Sequence, residues 1–311
     1  MQAAAMALSC TVCVSAAEDE TIKLTVWGAE EDQDLLKELT DKFQEKYADQ
    51  KFDIQIGVES ESTAKDTILT DVEAGADVYA FADDQLTDLV KAGALLKLDD
   101  YAEVLQLVDT TLDDVKAANV EGAIDAASWD SLLEAADKAG KKVGMTLASG
   151  NLVACVSGTW DAITAQDVFG DGYAATKLPT FTVGDKQVQQ GSVAGYKYVG
   201  VNGYSENSGW AVLLAEYLTN EESQQMFFDQ RESGPSNKNV AASDSVQENV
   251  ALAALSAQSE YAQAQKVGGK YWDSAQTFGE LVAQGTLSAD DDNAIQEALD
   301  NLVDGVTAPV E

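Results

Sequence analysis

The sequence predicts an α/β fold built on a mostly parallel sheet with helices on its faces. Two patterns carry that expectation. Between residues 22 and 93, short runs of period-two apolar alternation take turns with runs in which apolar residues recur every four positions. Period two marks a strand and a spacing near 3.6 marks a helix, so strands and helices alternate. Strands separated by helices pair in parallel. In addition, 311 residues at 45% hydrophobic content are enough to bury a substantial core.

The elements follow in order. Ile22, Leu24 and Val26 alternate and read as a first strand. Leu35, Leu39, Phe43 and Tyr47 lie four apart and read as an amphipathic helix. Phe52, Ile54, Ile56 and Val58 give a second strand, followed by a helix from about 64 to 73 with Gly75 as its stop. "DVYAF" (77–81) is a third strand, and a helix from about Gln85 ends near Gly93. Further on, "WDSLLEAADKAG" (129–140) reads as a short helix, "NLVACVSG" (151–158) as a buried strand and "YKYVGVN" (196–202) as another. Residues 209–230 form one or two helices with Asn220 near the joint. Residues 288–306 form a C-terminal helix, with Ser288 and Asp291 spaced as a capping box. The acidic run 290–292 fits the first turn of that helix better than a calcium loop, because the alternating acidic pattern ending in glycine is absent.

Open parallel sheets bind ligands in the crevice at the carboxyl ends of their strands. Three aromatic or acidic clusters fall at such ends: Trp27 with Glu30, Glu31 and Asp32; Asp83 and Asp84 after the third strand; and Trp160 with Asp161 after the strand at 151–158. Carboxylates accept paired hydrogen bonds from neighbouring hydroxyls, and aromatic faces cover the C–H faces of a sugar ring. The plainer alternatives are core packing for the tryptophans, stronger for Trp27 than for Trp160, and helix capping for Asp83 or Asp84.

Composition narrows the function. Lys plus Arg is 19 against 54 for Asp plus Glu, a net charge of −35. Such a surface repels phosphate backbones and anionic lipid, which excludes nucleic acid as a partner and favours a neutral or cationic ligand. There is no histidine, which removes the commonest general base and metal ligand. No nucleophile elbow, phosphate-binding glycine loop or Cys/His zinc spacing is present, so neither a cofactor nor a metal site is expected. Paired carboxylates leave a glycoside hydrolase as the rival class. Cys155, alone in an apolar run, reads as a buried core thiol. Residues 1–17 carry no charge and are followed at once by acids. They read as a secretory signal with "VSA" (14–16) at the cleavage site, although the basic start is missing. Cys10 after "ALS" is a candidate lipid-anchor cysteine, with the leucine one position late.

The segments "IKLTVWGAEEDQDLLKELTDKFQEKY" (22–47), "ADVYAFADDQLTDLVKAGALLKLDD" (76–100), "SGNLVACVSGTWDA" (149–162) and "GYKYVGVNGYSENSGWAVLLAEYLTNEESQQMFF" (195–228), with "GPSNKNV" (234–240), come in an order that resembles bacterial extracellular solute-binding proteins of the maltose and maltodextrin type. The resemblance covers most of residues 20–311. It implies a two-lobed, periplasmic-binding-protein-like fold of the class II type. It also implies a non-catalytic, monomeric receptor that captures a neutral oligosaccharide of the maltodextrin type between its lobes. The receptor would deliver that sugar to the membrane permease of an ABC transporter, at the outer face of the cell envelope or in the periplasm. On this reading residues 18–128 plus 191–246 form the first lobe and 129–190 plus 247–311 the second. Two stretches that the family carries are absent, one between 128 and 129 and one between 149 and 150, which makes the second lobe short. The implied ligand contacts are Glu30, Glu31, Asp32, Asp83 and Asp84, with Trp160 as a stacking platform and Tyr196 and Phe278 along the cleft. A binding protein degraded until it holds nothing is a third alternative.

Overall fold

The computed structural model describes residues 21–98, 142–143, 152–264, 270–288 and 290–307. The signal-like segment 1–17, Cys10 and the helix expected at 129–140 lie outside the described residues. In chain order the strands are β1 (Ile22–Gly28), β2 (Phe52–Val58), β3 (Val78–Ala82), β4 (Lys142–Val143), β5 (Leu152–Ala154), β6 (Thr180–Val183), β7 (Lys186–Gln189), β8 (Ser192–Ala194), β9 (Lys197–Val201) and β10 (Ala262–Ala264). The first three helices are α1 (Gln33–Lys46), α2 (Ala64–Thr70) and α3 (Leu86–Lys91). The expected strand–helix alternation over residues 22–93 is present, with each boundary within a few residues of its sequence signal.

The main sheet has the order β2-β1-β3-β9. β1 runs parallel to β2, from Ile22 opposite Phe52 to Gly28 opposite Val58, and parallel to β3 at Val26 and Trp27. β9 enters antiparallel to β3, from Val78 opposite Val201 to Ala82 opposite Lys197. The chain therefore leaves this sheet after β3 and returns to it more than a hundred residues later. The remaining strands pair two by two: β4 with β5, β6 with β7 and β8 with β10.

Both faces of the main sheet are covered, as a parallel sheet requires. On one face Leu24 and Val26 pack with Leu35, Leu39 and Phe43 of α1 and with Trp210, Val212 and Leu214 of the Ser208–Thr219 helix. Phe43 is fully buried and centres an aromatic cluster, with ring centroids 4.9 Å from Tyr47, 5.4 Å from Phe52 and 5.7 Å from Tyr217. On the other face Tyr79 and Phe81 pack with Ala64 and Ile68 of α2 and Leu89 of α3, and Trp27 leans on that cluster. Gly57 makes room for the Trp27 ring: a Cβ there would lie 2.8 Å from it. Trp27 is thus a packing residue, the plainer of its two readings.

Local signals were kept in most places. Asn220 divides two helices, Ser208–Thr219 and Glu221–Arg231, and its side chain accepts from Ser223 N–H at 2.9 Å as the N-cap of the second. Gly93 has φ +69° and ends α3 as the sequence predicts. At the C-terminal helix (Asp292–Thr307) the expected capping box is replaced by a simpler cap. Asp291 Oδ1 accepts from Ala294 N–H at 3.0 Å, while Ser288 Oγ serves Asp290 N–H one turn too early to cap the helix. Cys155 is half-buried rather than core, because β5 ends at Ala154 and the chain emerges there toward Trp160. The β6–β7 hairpin, turning at Gly184 with φ +59°, is an element the sequence pattern did not single out.

Phe43→Ala should destabilise the protein by about 3–5 kcal/mol, the range for truncating a buried aromatic. Urea unfolding checks this, and a loss below about 1 kcal/mol would place the main core elsewhere.

Candidate functional site

The carboxyl ends of β1, β2 and β3 are laced together by backbone and amide hydrogen bonds. Glu59 N–H donates to Gly28 O at 2.9 Å, joining the ends of β2 and β1. The Gln33 side-chain amide donates to Gly28 O (2.9 Å), Ala29 O (3.1 Å) and Gly57 O (3.3 Å). Gln85, almost wholly buried, donates to Glu61 O (2.8 Å) and Ser62 O (2.9 Å) and accepts from Lys65 N–H (3.0 Å). Asp83 N–H donates to Tyr196 O at 3.0 Å and so fixes the entry to β9 beside the end of β3. A buried amide with every hydrogen-bonding group used is a rigid clamp, so the loops that carry the acidic residues are held in place.

Onto this frame the fold places charge. Glu30, Glu31 and Asp32 form a single 3-10 turn. Glu30 and Glu31 point to solvent, and Asp32 is half-buried. Asp32 Oδ1 accepts from Arg231 Nε at 3.1 Å, across 199 residues of sequence. Burial holds the Asp32 carboxyl above its ordinary range, against the pull of Lys197 and Arg231 and with a further push from Glu31 and Glu61. Lys197, at the start of β9, reaches Glu61 Oε1 at 2.6 Å. Burial pushes Glu61 upward too, but the hydrogen bond and charge of Lys197 outweigh it, and its carboxyl lies below the ordinary value. Sequence reasoning passed over Glu61, Lys197 and Arg231. The only signal for the two basic residues was that cations are scarce in this chain.

Asp83 and Asp84 open a second 3-10 turn and make no side-chain cap there, so the capping alternative does not hold for either. Burial raises the Asp83 carboxyl, with Asp84 adding to the effect. Asp84 Oδ2 accepts from Trp272 Nε1 at 3.1 Å, and its Oδ1 is buried with no hydrogen-bond partner among the described residues. Trp272, another residue the sequence reading missed, lies in the Lys270–Ala283 helix and is 46% exposed. Phe278 is further along that helix and half-buried. Tyr196 is 47% exposed beside Asp83.

Trp160 stands on a third 3-10 turn, Thr159–Asp161, and is 81% exposed, the most exposed large apolar side chain among the described residues. Its ring lies on Gly158: a Cβ at Gly158 would meet ring atoms at 2.1–2.4 Å. The glycine acts as a seat for one ring face and leaves the other open. The structure therefore brings together Asp32, Glu61, Lys197 and Arg231 at one end of the sheet and Asp83, Asp84, Tyr196 and Trp272 beside it, with Trp160 on its own turn. Among the described residues no group of three or more His, Cys, Asp or Glu is arranged to hold a metal ion.

Residues 138–254 match the family model described as bacterial extracellular solute-binding protein. Over those residues the resemblance read from the sequence is met at the level of solute-binding proteins. No curated relative matches the chain by sequence. Among solved structures, one determined with acarbose is 24% identical at a TM-score of 0.74, covering 92% of this chain and 99% of that one. The maltodextrin-binding protein MalE1 from L. casei BL23, without ligand, is 17% identical at a TM-score of 0.73, covering 93% and 99%. The GacH receptor of Streptomyces glaucescens, solved unliganded and with acarbose, is 14% identical at a TM-score of 0.74, covering 94% and 100%. At these identities the likeness is one of fold, and it is the two-lobed periplasmic-binding-protein-like fold expected.

Two outcomes follow. The Gly158 backbone is extended, so Gly158→Ala is allowed there, and its methyl group must lift the Trp160 ring. Tryptophan emission should change while stability moves by less than about 0.5 kcal/mol, as for a surface change. Unchanged emission would mean that the ring does not rest on Gly158. Lys197→Gln should raise the Glu61 carboxyl toward its ordinary value, read by 13C NMR titration. Because the folded Glu61 is depressed, the stability it contributes is present above about pH 4.3, the ordinary glutamate value, and is lost as pH falls through the folded value. The stability gap between wild type and Lys197→Gln should therefore close in acid.

Proposed function

We propose that this protein is an exported receptor that captures an oligosaccharide of the maltodextrin type and passes it, unchanged, to the permease of an ABC transporter. The observation that carries this reading is Trp160: a large aromatic, almost fully exposed, with one face seated on Gly158 and the other open. Exposed apolar surface held in a fixed pose is what a sugar ring needs for stacking. Trp272 donates to Asp84 at the end of β3, and the second oxygen of that carboxylate has no partner among the described residues. Glu30, Glu31, Asp83 and Asp84 serve as hydroxyl acceptors, while Tyr196 and Phe278 line the same cleft. Asp32 joins them at one remove, since Arg231 already occupies one of its oxygens.

In this reading residues 18–128 with 191–246 form one lobe and 129–190 with 247–311 the other. The return of β9 to the sheet of β1–β3 supports the first of these groupings. The receptor acts as a monomer. Residues 1–17 direct export, with Cys10 as the point for any lipid anchor. The similar solved structures, a maltodextrin-binding protein and a receptor in complex with acarbose, favour an α-linked glucose oligomer as the ligand. Catalysis is not part of the function.

Calorimetric titration with maltotetraose tests the reading. Binding should be measurable, the sugar should be recovered without shorter products, and Trp160→Ala should weaken binding by roughly 1–3 kcal/mol with little loss of fold stability. Shorter products that vanish on changing one Asp or Glu would support a hydrolase instead. A Trp160→Ala variant that unfolds early and binds normally would make Trp160 a packing residue.

A further inference from the structure

Glu232 follows the Glu221–Arg231 helix with φ 50° and ψ 26°, the left-handed conformation, and is the sole non-glycine with positive φ among the described residues. Glycine is the residue that ends helices this way without steric cost. A glutamate here keeps the strain, so its side chain must supply something that glycine lacks. That side chain is half-buried, and Glu232 Oε2 accepts from Asn249 Nδ2 at 2.9 Å. Asn249 is the N-cap of the Val250–Ser259 helix, where its Oδ1 accepts from Leu252 N–H at 3.0 Å. This helix packs against the Thr159–Asp161 turn that carries Trp160. The preceding residue, Arg231, holds Asp32 at the end of β1. Two consecutive residues thus tie the end of β1 on the one hand and the helix that backs the Trp160 turn on the other.

We propose that Glu232 is a positioning residue: through Asn249 and the Val250–Ser259 helix it sets the Trp160 platform at a fixed distance from the β1 end that Arg231 anchors through Asp32. The carboxylate fixes the start of the helix, the helix backs the Trp160 turn, and the left-handed backbone at Glu232 aims the carboxylate at Asn249 while Arg231 aims at Asp32. The consequence for affinity rests on the oligosaccharide reading above. The positioning itself does not.

The test uses the full chain with Cys10, Cys13 and Cys155 changed to Ser and spin labels placed through Asp34→Cys and Thr164→Cys, both at exposed positions. Electron–electron resonance then reads the distance distribution between the β1 end and the helix after the Trp160 turn, without ligand. Glu232→Gly should broaden that distribution, with the melting temperature equal or higher because the backbone strain is gone. Glu232→Gln, which keeps an acceptor for Asn249, should restore the narrow distribution. In the unlabelled protein, maltotetraose should bind about tenfold more weakly to Glu232→Gly, in the range expected for a residue acting through others, and as wild type to Glu232→Gln. A distribution that stays narrow in Glu232→Gly, or broadens equally in Glu232→Gln, overturns the assignment. Broadening in Glu232→Gly in a protein whose wild type binds no maltotetraose supports the positioning role and refutes the sugar reading.

Discussion

The antiparallel pairing of β9 with β3 is the constraint on which the rest depends. β1, β2 and β3 alone would leave β3 as an open edge, with its backbone groups exposed to any passing strand. β9 closes that edge and, because it runs antiparallel, begins where β3 ends. Its first residue, Lys197, and the residue before it, Tyr196, are thereby set at the carboxyl ends of the parallel strands. The helices that follow β9 complete the core around Phe43 and carry Arg231 back to Asp32. One strand pairing therefore closes the sheet and completes the core, and it also delivers the two cations of the candidate site.

Those cations matter because the chain has so few. With 19 basic residues against 54 acidic ones, most carboxylates have no cation to pair with, and an acidic rim would repel itself if it were left unbraced. The fold places Lys197 on Glu61 and Arg231 on Asp32, two rim carboxylates whose side chains are only 20% exposed. The more exposed acids, Glu30 and Glu31, need no such partner, since water screens them. The result is a rim with two braced carboxylates and several open ones. That arrangement suits hydrogen bonding to hydroxyl groups, because an unpaired carboxylate keeps its acceptor capacity for the ligand.

The sheet was legible in the sequence because each of its first three strands alternates cleanly and each helix between them keeps a four-residue apolar spacing. Asn220 and Gly93 were legible for a related reason: each acts on neighbours within a few residues. Trp160 drew notice because a tryptophan after a glycine at a strand exit has nowhere nearby to pack. What escaped the sequence depends on distance along the chain. Nothing around Arg231 points to Asp32, and nothing around Trp272 points to Asp84, since those contacts exist only after the chain has returned on itself. The β6–β7 hairpin escaped for another reason. Its Gly-Asp turn is a proper signal, but its strands are short and largely exposed, so their alternation carries little apolar contrast. Cys155 was misjudged because the apolar run around it continues past the point where the strand ends. Ser288 was misjudged because Asp291, three residues on, was itself the better cap.

The central claim is that one oligosaccharide lies between the open face of Trp160 and the carboxylates at the strand ends. A crystal structure of the protein grown with maltotetraose tests it most directly. The account predicts a glucose ring stacked on Trp160, with hydroxyls donating to Asp83 or Asp84 and to Glu30 or Glu31, and with the Arg231–Asp32 and Lys197–Glu61 pairs intact. Maltotetraose bound away from Trp160, or crystals grown at saturating sugar that hold none, would contradict it.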